Sequence, residues 1–88
     1  MKTIYKQTLE LKGTQIIHLP KNTRILSLQN QNNKPTIWFY LDTEEKEMDE
    51  YRIFMFGTGW PISENLTNYL GTVQIDIFVW HFFLVKAE

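Results

Sequence analysis

Cysteine is missing altogether from the 88 residues, which excludes disulfide staples, zinc knuckles, thiolate nucleophiles and iron–sulfur ligation in one step. Glycine and proline are scarce, at four and three, and there is no low-complexity tract. Gly57-Thr58-Gly59 lacks the third glycine and the lysine of the phosphate-binding fingerprints. No apolar run approaches the ~18 residues of a membrane helix; the densest, Ile75 to Val85, is broken by Asp76 and His81. Met1 to Lys6 carries no apolar signal-peptide stretch. Neither sign of charge dominates: nine basic and ten acidic residues give a net −1, so no basic field advertises nucleic-acid binding and no duplex partner is expected. Ser27 and Ser63 sit in no nucleophile elbow. His18 and His81 are too far apart to suggest a metal set, and the acidic run Asp42 to Glu50 lacks the glycine and spacing of a calcium loop. The expectation is a protein without catalytic residues, metal or cofactor, and not an enzyme.

What is present is a globular composition, 43% hydrophobic and 22% charged, in a length that allows a single domain over 1–88. Short β-prone segments alternate with polar turns. Strands are expected at Ile4–Leu11, Gln15–Leu19, Arg24–Gln31, Thr36–Asp42, Tyr51–Phe56, Tyr69–Ile75 and Phe78–Lys86. Asn30 to Pro35 reads as a hairpin loop. Asp42 to Glu50, with six carboxylates against Lys46, reads as a protruding solvated loop. Ser63 to Leu66 allows one helical turn capped by Ser63, and a longer helix over Ile62–Leu70 competes with it, because Ile62, Leu66, Tyr69 and Leu70 share a helical face. The fold class is therefore all-β: about seven short antiparallel strands in a meander, closed as a small barrel or folded as a sandwich, with at most one helical turn near 62–70.

A half-buried antiparallel strand alternates apolar with polar, and the central strands here do not. Trp38 and Tyr40 oppose Ile37, Phe39 and Leu41; Phe54 and Phe56 oppose Ile53 and Met55; Trp80 and Phe82 oppose Val79, Phe83 and Val85. One small core cannot absorb both faces. A second copy of the chain is the expected cover, with Trp38, Tyr40, Phe54, Phe56, Trp80 and Phe82 as interface residues and a dimer as the expected homo-oligomer. A strand crossing a sheet corner is the alternative.

Candidate ligand or partner contacts are Arg52, Gly57, Thr58, Gly59, Trp60 and His81. The Gly57–Gly59 amides suit an anion, or simply a turn needing positive φ. Trp60 offers a stacking surface or loop packing. His81 is a proton-transfer or ligand group, or a satisfied core histidine. Arg52 pairs with a carboxylate such as Asp42 or Glu50, or reaches an anionic ligand.

Met1-Lys2-Thr3-Ile4-Tyr5-Lys6, Pro20-Lys21, Arg24-Ile25-Leu26-Ser27, Trp38, Arg52, Gly57-Thr58-Gly59, Pro61-Ile62, Tyr69-Leu70-Gly71-Thr72-Val73-Gln74 and Trp80-His81 together resemble a family of small proteins encoded by bacteriophages, prophages and plasmids. Trp60 stands where that pattern has histidine, and Asp76-Ile77 where it has a glycine-rich turn. The resemblance implies a compact β protein in the bacterial host cytoplasm that acts on the host. Three functions are expected from it. The first is a non-enzymatic accessory protein that binds a host or defence protein, its acidic loop steering it to a basic patch. The second is an oligomeric sponge for a small anionic nucleotide, held by Trp60, Arg52 and the Gly57–Gly59 amides. The third is a minor virion or assembly component.

Overall fold

The computed structural model describes residues 1–87. Seven antiparallel strands run β1 (Lys2–Thr8), β2 (Thr14–Pro20), β3 (Arg24–Gln31), β4 (Lys34–Asp42), β5 (Met48–Gly57), β6 (Tyr69–Ile75) and β7 (Phe78–Lys86). They form a three-stranded sheet A, ordered β1-β4-β3, and a four-stranded sheet B, ordered β2-β5-β7-β6. The all-β expectation holds and the meander does not. Among neighbouring strands in sequence, only β3–β4 and β6–β7 pair as hairpins, while β1 and β2 enter different sheets. The inner faces meet in one core, with Ile37, Phe39 and Leu41 from sheet A against Ile17, Ile53 and Phe82 among those from sheet B. This is a two-layer sandwich.

Turn chemistry fixes the two hairpins. Asn32 and Asn33 both have positive φ, 53° and 64°, the pair of values a two-residue I′ turn demands and asparagine tolerates. At the β6–β7 turn Asp76 takes φ 54°. Its carboxylate accepts from Asn33 Nδ2 at 2.7 Å, and its amide donates to Asn33 Oδ1 at 3.2 Å. The two hairpin tips thus clasp each other. Asn30 Nδ2, donating to the Gln74 carbonyl at 2.7 Å, ties β3 alongside β6 and closes that edge of the sandwich.

Several boundaries differ from expectation. β1 ends at Thr8, not Leu11, because Leu9 turns into the core at 2% exposure; Gln15 locks the bend by accepting from the Glu10 amide and donating to the Glu10 carbonyl. β5 begins at Met48, so the tail of the acidic run is strand and the loop shrinks to residues 43–47. No helix forms among the described residues, and Ser63 caps nothing. The segment 60–68 lies exposed, with no core surface on which a helical face could be buried.

Candidate functional site

Strand parity and register define the outer face of sheet B. Thr14, Phe54, Phe83 and Tyr69 lie in one row across β2, β5, β7 and β6; Phe56, His81 and Thr72 form the next. The rings touch: Phe54 and Phe56 stack at 6.5 Å, Phe56 meets Phe83 edge-on at 6.1 Å, and Tyr69 meets Phe83 at 5.6 Å. Ile16, opposite Arg52, and Val85 extend the apolar surface. No described element packs over it. The phenylalanines are half-buried by one another and by Tyr69, and Phe54 and Phe56 border a cleft shared with Trp60, Pro61 and Glu64.

His81 is a satisfied histidine. Nε2 shares a hydrogen bond with Thr58 Oγ1 at 2.7 Å, and Nδ1 with Thr72 Oγ1 at 2.9 Å, while the Tyr69 hydroxyl bonds Thr72 in turn. Threonine hydroxyls both donate and accept, so this ladder suits either imidazole tautomer and fixes the ring on the sheet. No group of metal-ligating side chains occurs among the described residues.

Gly57, Thr58, Gly59 and Trp60 form a β-turn in which the Trp60 amide donates to the Gly57 carbonyl at 3.1 Å. Gly59 at φ 85° fills the third position, as a type II turn requires. An anion therefore finds the Trp60 amide already engaged. Trp60, 53% exposed, folds back so that its indole lies on Gly57 and meets Trp80 edge-on at 5.4 Å. A Cβ on Gly57 would stand 2.8 Å from the Trp60 Cε2 and Nε1. Gly57→Ala is expected to push the indole off the strand, remove the Trp60–Trp80 coupling from the near-ultraviolet circular dichroism, and cost about 1–3 kcal/mol. An unchanged spectrum would show that the indole does not rest there.

The six expected interface residues fall on three surfaces. Phe54 and Phe56 lie on the outer face of sheet B, Trp38 and Tyr40 on the outer face of sheet A. Trp80 is on the inner side of sheet B, between Trp60 and Phe78, whose ring is 5.8 Å away. Phe82 is corrected outright: at 0% exposure it is core, since its register partner is Met55 and not Phe54 or Phe56. Phe83, Tyr69 and Thr72 are the members of the sheet B face that sequence reasoning missed.

Arg52 makes no ion pair with any described residue, against the expected pairing with Asp42 or Glu50. It stands exposed on sheet B, five residues from Gly57 and so about 17 Å along the strand. Arg52 and the Gly57–Gly59 turn thus do not converge on one small anion.

The acidic run is occupied with its own chain. The Met1 ammonium lies 3.4 Å from Asp42 and 3.2 Å from Glu44; Lys21 meets Glu47 at 3.6 Å, Lys86 meets Asp49 at 3.3 Å, and His18 meets Glu50 at 3.3 Å. The Glu44 amide holds the Asp42 carboxyl below its ordinary value, with the ammonium and Lys2 adding to the effect against some desolvation. These exposed pairs hold Met1, His18, Lys21 and Lys86 to the run from Asp42 to Glu50, in which Glu45 makes no ion pair among the described residues.

No curated protein and no solved structure matches this chain. A family model does match, from residue 1 to residue 88, and the chain belongs to that family, the domain of unknown function DUF7352.

Proposed function

We propose that this chain is a non-catalytic binding protein whose working form is a homodimer joined through the outer face of sheet B. The reading rests above all on the uncovered aromatic rows, Phe54–Phe83–Tyr69 with Phe56 beside them. An apolar surface on a chain this small favours a partner. A second copy fits better than a foreign protein because the face is nearly uncharged. Its ionic groups are Arg52 and the His18–Glu50 pair toward one end, and an apolar, charge-poor centre is the composition of homodimer interfaces. One self-complementary patch is all that twofold closure needs.

The resemblance to phage- and plasmid-borne proteins supports an accessory role, in which the dimer occupies a host or defence protein through surfaces the interface leaves free. Light scattering behind size-exclusion chromatography is expected to give twice the 10.6 kDa chain mass, relaxing to the monomer on dilution. A monomer at every concentration would remove the reading.

A further inference from the structure

The outer face of sheet A differs in kind from that of sheet B. Parity and register place Lys34, Trp38 and Tyr40 along its central strand, where Thr36 of the same parity is buried, with Lys2, Ile4 and Lys6 on β1, and Arg24 and Gln29 on β3. Lys6 stands opposite Trp38, and Arg24 opposite Tyr40, its guanidinium 5.9 Å from the ring centroid. Lys6 Nζ donates to Gln31 Oε1 at 2.7 Å, a bridge from β1 to β3 that passes over β4. None of Lys2, Lys6, Arg24 and Lys34 makes an ion pair among the described residues. Asp42, at the end of this face, is held by the Met1 ammonium and the Glu44 amide, and Glu45 shares a cleft there with Lys2 and Tyr40. The net charge of −1 conceals this segregation, because six of the ten acidic residues are gathered at 42–50.

From these features we infer that the outer face of sheet A binds single-stranded nucleic acid. Two rings at alternate positions of one strand stand about 6.6 Å apart, roughly twice the ~3.4 Å rise per base of a stacked strand. Bases must splay to use them, and aromatic residues on an open sheet receive splayed bases in this way. Each ring has a cation on the neighbouring strand to meet the phosphate beside the base, and the Arg24 guanidinium is itself a plane for stacking. A duplex offers no unstacked base to such a surface. An acidic peptide would satisfy the cations but leave Trp38 and Tyr40 unused, and the interleaving of rings with charges favours the nucleic acid.

The test is fluorescence anisotropy of dye-labelled oligothymidine and oligouridine, each about 15 nucleotides long, titrated with the full chain. Binding is expected to weaken about 16- to 50-fold between ~50 and ~200 mM salt, as three or four phosphate contacts to a single strand require. Trp38→Ala is expected to lose about 5- to 150-fold in affinity. Lys6→Gln with Arg24→Gln, both exposed and safe for the fold, lowers the salt slope by about one to two. Ile77→Ser, at the exposed β6–β7 turn and outside both sheet faces, leaves binding unchanged. Preference for one oligomer supports the inference and identifies the strand as DNA or RNA, and equal binding supports a site that reads only bases and phosphates. No anisotropy change with either oligomer at ~50 mM salt overturns it. So does displacement by oligoglutamate with no loss in Trp38→Ala, which would make the face an acidic-peptide site.

Discussion

Phe82→Ala is expected to destabilise the fold by about 3–5 kcal/mol, whereas Phe83→Ala, one residue on, costs the monomer about 1 kcal/mol or less. Phe82 is at 0% exposure, opposite Met55, in the core between the sheets. Removing its ring leaves a cavity that rigid strands on both sides cannot close. Phe83 projects from the opposite face, where the Phe56 and Tyr69 rings touch it and water reaches the rest. At about 0.05–0.15 kcal/mol per residue a chain this size holds only ~4–13 kcal/mol in all, so the first variant forfeits a large share of it. The melting temperature should fall by more than ~12 °C for Phe82→Ala, measured in dilute solution where the monomer prevails. Equal losses at the two positions would mean that the parity of β7 is misassigned.

That parity marks where the sequence stopped being informative. The strands themselves were legible, because β-branched and aromatic runs between polar turns carry their own signal. So was the surplus of apolar side chains on both faces of β4, β5 and β7. Which face is inner was not legible, since it depends on pairing register: Phe54 meets Phe83 and Met55 meets Phe82, and no local feature of either strand encodes that match. The acidic run shows the same limit. Six carboxylates in nine residues read as a repelling loop only while their partners are unknown. His18, Lys86 and Lys21 come from β2, β7 and the turn after β2, distant in sequence, and they allow Met48 to Glu50 to lie in a strand. The turn at Gly57–Gly59 was readable as a positive-φ turn because glycine states that need locally. Its distance from Arg52 was not, and with that distance goes the shared anion site. The charge on sheet A was hidden for a further reason: a sum over the chain erases any separation of sign between faces.

Phe83→Asp is expected to weaken the proposed dimer about a hundredfold while leaving the monomer folded. In the monomer the new carboxylate points from the outer face into water and changes stability by about 1 kcal/mol or less. In the dimer, twofold symmetry buries it twice, near the centre of an aromatic patch, where Tyr69, Phe56 and Phe54 offer no cation to pair with it. Arg52, two residues along β5 from Phe54 and so diagonal to position 83, lies on the same face within reach of the new carboxylate, which offsets part of the penalty. At ~1.5 kcal/mol for each partly compensated ion, roughly 3 kcal/mol is lost and the dissociation constant rises by about two orders of magnitude. Phe83→Leu, which keeps an apolar side chain, retains the dimer. Tyr40→Asp, on sheet A, retains it as well, because the proposed interface is confined to sheet B. Sedimentation velocity on the four proteins separates the cases. A Phe83→Asp protein that still sediments as a dimer would move the interface off this face, and one that dissociates without unfolding would locate it there.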